Sequence, residues 1–416
     1  MRIIASKNHL VKRPCSVAGK YVSAIFAAGL CWFAVISPVH AGNQVVAWGA
    51  GKTYKPADNN DFGQSIVPVN LTNAVEVAGG WHHSLALKAD GTLQGWGDDS
   101  DFQTDFPATS NYVAIACGYV HSLALQSNGI VVAAGDNSFG QTQIPTTLSN
   151  VVAIACGFYH SMALKADGTV AVWGTSTNPA VFGTDTVSYG QAVVPAGLSN
   201  VVAIAGGGWH CLALKVDGTL TGWGRDDYGQ ANIPSGISNV MAIAAGAAYS
   251  MVLESNGTVA AWGDNTYGQT NIPSGLSNVI CIASGGWHGL ALKSSGTVVA
   301  WGAGIGLNTN VDYGQNVVPA NLTNVWEIAA GSVNSFAVAG TVPPVTQVRA
   351  THLITAANGF GLTLPTRNGR VYQLQYKNSL TNGTWQSLPL QYGIGGNLQM
   401  TDTNIGQSRF YRVLRW

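Results

Sequence analysis

From residue 43 to about residue 340, apolar positions fall in runs of five or six broken by glycine. No stretch there keeps an i, i+3, i+4 pattern for three turns, which excludes helices. The unit is clearest from Asn200. Val201 to Ala205 is an apolar run with β-branched residues, Gly206 to Gly208 breaks it, and His210 to Lys215 and Thr219 to Gly224 follow. Asp217-Gly218 between the last two is a hairpin turn signal. Tyr228-Gly229-Gln230 and Pro234 then lead to what the pattern predicts as a short outer strand. Each unit is thus expected to supply about four strands in roughly 39 residues, the size of one propeller blade.

The unit recurs along the chain. A glycine stands three residues before an anchor at His83, His121, His160, His210, Tyr249, His288 and Asn334. An aromatic-Gly-Gln motif ends at Gln64, Gln103, Gln141, Gln191, Gln230, Gln269 and Gln315, and its second copy lacks the glycine. Trp48, Trp96, Trp173, Trp223, Trp262 and Trp301 precede glycine, with Ala134-Gly135 as the degenerate copy. The ends are unequal. Val45 to Gly49 has no anchor before it, and Asn334 leads into Ser335 to Ala339 with no Trp-Gly strand after it. The N-terminal strand is therefore expected to complete the last blade, giving an all-β, seven-bladed propeller without open sheet edges.

The repeat stops at Gly340. Two prolines, Pro343 and Pro344, mark a linker over 341–345. Beyond it, Gly359 to Leu364, Arg370 to Tyr376, Gly396 to Thr401 and Phe410 to Leu414 read as strands, with turns at Asn368-Gly369 and Asn382-Gly383. Residues 346–416 are expected to form a small β-sandwich-like domain, and 42–340 the propeller.

Composition changes this picture at the N-terminus. Arg2, Lys7, Lys12, Arg13 and Lys20 precede the mostly apolar run Tyr21 to Val39, and Val39-His40-Ala41 resembles a cleavage site. Residues 1–41 read as a secretory signal peptide, which implies a secreted, periplasmic or cell-surface protein. An apolar run of this length also suffices for an uncleaved anchor; after cleavage no membrane span is expected. Residues 42–340 hold seven Lys and Arg against eighteen Asp and Glu. That acidic balance argues against a nucleic-acid partner, because phosphate repels carboxylate. Cys117, Cys156, Cys211 and Cys281 form no CxxC pair, so a metal cluster is not expected. A Cys117–Cys156 disulfide suits an oxidising compartment, but its geometry is not readable from sequence.

The segments Gly118 to Leu125, Asp167 to Val170 and Trp262 to Gln269 match Gly-x-x-His-Ser-Leu-Ala-Leu, Asp-Gly-Thr-Val and Trp-Gly-x-Asn-x-Tyr-Gly-Gln. In these the chain resembles the regulator-of-chromosome-condensation repeat family, over about residues 43–340. The resemblance implies a seven-bladed propeller. It does not imply nuclear guanine-nucleotide exchange, because an export signal leads away from such a partner. The nearer analogy is to a secreted bacterial propeller of this class that inhibits β-lactamase by laying one face over it; fold alone does not fix function.

The anchor histidines invite a metal or general-base reading. Side chains repeated once per blade lie radially apart, however, so each is expected to hydrogen-bond a backbone group in its own blade. The positions just before the anchors hold Trp81, Tyr119, Phe158, Tyr159, Trp209 and Trp287, with small residues at Ala247-Ala248 and Ser332-Val333. Loop aromatics on one face make a protein-contact surface, and packing between blades is the competing reading. Enlarged loops at Gly51 to Asp61, Thr175 to Ser188 and Ala303 to Asp312, with Asp98, Asp99, Asp226 and Asp227, outline a second candidate contact region. No catalytic triad, zinc motif, paired catalytic carboxylates or cofactor fingerprint appears. The sequence reads as an exported, monomeric, protein-binding propeller, not an enzyme, with no cofactor. A carbohydrate-active or hydrolytic propeller and a purely structural display module stay open.

Overall fold

A computed structural model describes residues 21–23, 43–52, 61–175, 188–303 and 312–340, and beyond them the strands 352–356, 359–365, 371–377, 386–392, 397–402 and 410–415. Seven three-stranded antiparallel sheets follow one another from residue 74. In the fourth, the inner strand Val201–Gly206 pairs with the middle strand His210–Lys215, which pairs with the Trp-Gly strand Leu220–Gly224. A bulge interrupts the inner strand near its first residue in every blade.

The seventh blade is composite. Gln44–Gly49 pairs with Asn334–Ala339, with Trp48 opposite Ser335. This is the register that Trp96 and Ser84 adopt in the first blade. The expected closure by the N-terminal strand is thus present, and the ring has seven blades.

Each blade has three strands where the pattern predicts four. The segment after aromatic-Gly-Gln instead forms successive turns, such as Gly229 N–H to Asp226 O (3.0 Å) and Asn232 N–H to Gly229 O (3.1 Å). The proline that follows has no N–H to donate to a ladder, so a fourth strand does not form.

Burial explains the sequence of the middle strand. His210–Cys211–Leu212–Ala213–Leu214 is wholly buried, with neighbouring blades on both faces. It therefore reads as a continuous apolar run and does not alternate. The Asp-Gly-Thr hairpins lie at one end of the ring. In the fourth, Asp217 Oδ1 accepts from Thr219 N–H (2.9 Å) and Oγ1–H (2.7 Å), and these bonds hold its carboxyl below the usual range.

The C-terminal strands make two sheets. Leu362 and Met400 of one and Tyr372 and Leu374 of the other share a buried cluster, the core of a small sandwich. Two strands were not apparent in the sequence pattern, His352–Ala356 and Gln386–Tyr392. The second contains Pro389, which falls where the register with 371–377 shifts. Leu390 N–H donates to Ala166 O (3.1 Å) at a propeller hairpin, so this sandwich touches the hairpin end of the ring. Tyr21–Ser23, inside the segment expected to be a signal, pairs with Arg412–Leu414 at a sheet edge. Among the described residues, no helix is long and apolar enough to cross a membrane.

Candidate functional site at the propeller mouth

The end of the ring opposite the hairpins carries the links between inner and middle strands. Their backbones form a closed circuit. Trp81 N–H donates to Tyr119 O, Tyr119 to Phe158 O, Phe158 to Gly208 O, Gly208 to Ala247 O, Ala247 to Gly286 O, Gly286 to Ser332 O, and Ser332 to Gly80 O, all at 3.0–3.2 Å. Seven blades are thus tied head to tail around one mouth. The link glycines are required here: a Cβ on Gly80 would overlap the His83 ring and approach Gly118 O to 2.8 Å.

Beneath this circuit lies a second one, built from the anchors. Each anchor was expected to bond within its own blade; instead it reaches the next. His83 Nε2 meets Ser122 Oγ (2.8 Å), His121 meets Ser161 (3.1 Å), His210 meets Ser250 (2.9 Å) and His288 meets Ser335 (2.8 Å). His160 meets the Cys211 thiol (3.2 Å). Ser161, Ser250 and Ser335 each donate to the carbonyl of Gln141, Gln230 or Gln315 (2.8 Å). The hydroxyl proton is used there, so the imidazole Nε2–H is the donor to the serine. Trp173, Trp262 and Trp48 indoles donate to the same three carbonyls at 2.9, 3.1 and 2.8 Å. Burial pushes all five histidines down to about 3, leaving them neutral.

The two substituted anchors have separate outcomes. Tyr249 reaches the sixth blade, where Gly289 stands in the position that holds Ser or Cys in other blades, and its hydroxyl donates to the His288 carbonyl. Asn334 is buried, and its amide oxygen and nitrogen both lack a hydrogen-bond partner. The ring of side-chain bonds is open at that one joint, while the backbone circuit stays closed. The anchors are buried and six of the seven bond to the next blade, and no group of three metal-ligating side chains forms among the described residues.

The six aromatics do converge. Ring centroids of Trp81 lie 4.2 Å from Tyr119, 5.8 Å from Phe158 and 5.6 Å from Trp287. Phe158 lies 5.0 Å from Trp209, and Tyr119 lies 5.4 Å from Tyr159. One continuous cluster therefore covers the mouth. All six side chains are half-buried, so each both packs on its neighbours and presents an edge outward, and the two readings of these positions are not exclusive.

A second tier was not singled out from the sequence: the aromatic residue of the aromatic-Gly-Gln motif. Phe139 lies 5.0 Å from Tyr159, Tyr189 6.4 Å from Trp209, and Tyr267 6.5 Å from Trp287. The signal was present, because the antiparallel order of strands puts the end of each Trp-Gly strand at the same face as the link. Arg225 joins this tier, its guanidinium 4.9 Å from the Tyr189 ring and 5.2 Å from that of Trp209.

The acidic loop residues do not gather into a separate site. Asp226 Oδ1 accepts from Ala231 N–H (2.8 Å), Asp99 Oδ1 from Thr104 N–H (2.8 Å) and Asp98 from Ser100, while Asp227 pairs with Arg225 (2.7 Å). They brace their own turns. Most of each enlarged loop (residues 53–60, 176–187 and 304–311) lies outside the described residues.

Below the aromatics runs a channel of about 360 Å³, lined by Gly, Ala and Ile of the inner strands with Cys117 and Cys156. Among these lining residues there is no carboxylate or imidazole. Cys117 and Cys156 are free thiols, not a disulfide, and burial pushes Cys117 up to about 12.

The sequence pattern described as "Regulator of chromosome condensation (RCC1) repeat" matches residues 74–103, 112–141, 151–178, 201–230, 241–269 and 279–315. Six copies match; the seventh blade is divided between the two ends of the propeller segment. A comparison with curated protein sequences finds no match. Among solved structures, human WBSCR16 is similar at 21% identity with a TM-score of 0.53, over 71% of this chain and 100% of that one. Prp20p from Saccharomyces cerevisiae, described with its binding to Gsp1p and histones, is similar at 19% identity and a TM-score of 0.57, over 74% and 93%. Yeast RCC1 (Prp20) bound to Kap60 is similar at 20% identity and 0.55, over 82% and 97%. At these identities the likeness shows the fold, and together with six matched repeats and the closed ring it places the chain in a family: it belongs to the regulator of chromosome condensation repeat propellers.

Proposed function

We propose that this chain is an exported propeller without catalytic activity that presents its aromatic mouth to a partner protein. The observation that carries the reading is the continuous cluster Trp287–Trp81–Tyr119–Phe158–Trp209, half-buried and fixed on the backbone circuit. Large rings held by a rigid scaffold give contact area at little entropic cost, and such anchors dominate protein–protein binding. The Ala-, Gly- and Ile-rich channel beneath supplies no acid–base pair, which favours binding over hydrolysis. One similar propeller, yeast Prp20, is described in two structures with the protein partners Gsp1p, histones and Kap60, in keeping with the ring as a docking platform. Export rests on the basic and apolar segment 1–41, the functional unit being 42–416 with a link at 341–345.

The test is capture from envelope and culture fluid with residues 42–416, compared with Trp209→Ala and Trp287→Ala. Loss of the captured protein at unchanged melting temperature supports the aromatic mouth. Equal capture by folded variants refutes it.

A further inference from the structure

We infer that the rim of this mouth, after the fourth blade, carries a subsite for a carboxylate of the bound protein, a refinement that rests on the protein-binding reading above. The repeats themselves reveal it. In each Trp-Gly to Gln turn, the glutamine Oε1 accepts a backbone N–H two residues earlier, which fixes its amide orientation. In the turns of Gln141, Gln191 and Gln269, Nε2 then points back to the first residue after the strand-ending glycine, a position that Ala50 and Ala303 fill in the turns of Gln64 and Gln315. Gln141 donates to Asp136 (2.7 Å), Gln191 to Thr175 Oγ1 (2.7 Å) and Gln269 to Asp264 (2.8 Å). In these three turns the slot holds an acceptor, twice a carboxylate.

After the fourth blade that acceptor is missing. Gln230 Oε1 accepts from Tyr228 N–H (2.9 Å), so its Nε2 is oriented as in the other turns. The residue in the acceptor position is Arg225, which offers only donors. Gln230 is fully buried, and its Nε2 has no hydrogen-bond partner. The Trp209 indole beside Arg225 is likewise a buried donor without an acceptor. Gln103 Nε2 also lacks a partner, but the acceptor position of its turn holds Asp98, a carboxylate of the chain itself.

A buried donor left unsatisfied has given up its water without replacement, so the arrangement favours an acceptor supplied from outside. The guanidinium is held in place for one. Asp227 Oδ2 takes its Nε (2.7 Å), and Tyr189, Trp209 and Tyr228 surround its carbon at 4.9, 5.2 and 5.8 Å. Tyr228 is 53% exposed and the Arg225 side chain 21%, so an approaching carboxylate meets the guanidinium first and reaches the two buried donors as that side chain moves toward it. A planar carboxylate matches both the guanidinium fork and the aspartates that fill the sister slots.

The probe is N-acetyl-aspartyl amide, titrated into the ¹⁵N-labelled full chain with chloride at equal ionic strength as reference. Saturable shifts of the Gln230 side-chain amide and the Trp209 indole are expected. Arg225→Asp, which installs the internal acceptor of Asp136 and Asp264, is expected to weaken binding at least about tenfold, with a melting temperature equal to or above that of the parent. Shifts that do not saturate, equal binding in Arg225→Asp, or a lower melting temperature would each overturn the subsite. The two readings fail separately. A protein captured equally well by Arg225→Asp removes the subsite and leaves the mouth; aspartyl binding without any mouth-dependent capture leaves the subsite and removes the protein-binding reading.

Discussion

Acidification should dismantle this propeller well above the pH at which its carboxylates titrate. His83, His121, His160, His210 and His288 are fully buried as neutral rings, with burial holding each near 3. In the unfolded chain a histidine titrates near 6.5. Between those values the unfolded state binds protons that the folded state refuses, so stability is complete above about pH 6.5 and falls as pH decreases. At pH 5 each ring forfeits on the order of 2 kcal/mol, and five together on the order of 10 kcal/mol, comparable to the whole stability of a typical domain. Carboxylates contribute little there: Asp90, Asp167 and Asp217, held low by Thr92 and Thr169 and Thr219, lose stability only below their unfolded range. Calorimetric melting from pH 7.5 to 5 should show a steep fall beginning near pH 6.5, with an uptake of about five protons on unfolding at pH 5. A melting temperature flat over that range would refute the neutral anchor ring. So would folded-state signals assigned to these five imidazoles titrating near 6.5.

Three further outcomes follow from individual residues. The Tyr249 hydroxyl donates to the His288 carbonyl across one blade interface, so Tyr249→Phe should destabilise. Leaving that buried carbonyl without its hydroxyl donor should cost about 1–3 kcal/mol in urea unfolding; an unchanged midpoint would contradict the bond. Phe102 occupies the glycine position of its turn at φ 60° and is 67% exposed, so Phe102→Gly should relieve left-handed strain and raise stability by up to about 1 kcal/mol in urea unfolding. A clear loss would show that its ring packs. Cys211→Ser should leave the fold intact and strengthen the His160 contact by about 0.5–1.5 kcal/mol, where a lower urea midpoint would argue for thiol packing.

The fold was largely legible because one pattern repeats seven times. The unmatched strands at Trp48 and Asn334 predicted the closure that Gln315 now secures, its carbonyl accepting from both Trp48 and Ser335. What misled was local. The turn after each glutamine reads as a strand because Ile233 or Ile272 beside a polar residue mimics alternation, and only the absence of a ladder partner shows otherwise. Pro389 hid a strand by sitting at a register shift. The histidine bonds cross blade boundaries, so their partners lie 39 to 51 residues away and no short window of sequence contains both. The six mouth aromatics were identifiable by position, but Arg225 was not, since its meaning depends on the acceptor it replaces.

The aromatic mouth is tested most directly by site-specific photocrosslinking in the producing cell. A benzophenone side chain placed at Tyr119, in the mouth, is compared with one at Val216, in a hairpin at the opposite end. A discrete protein adduct from position 119 and none from 216 is the predicted result. An adduct from 216 alone, or from neither position, would contradict a protein-binding mouth.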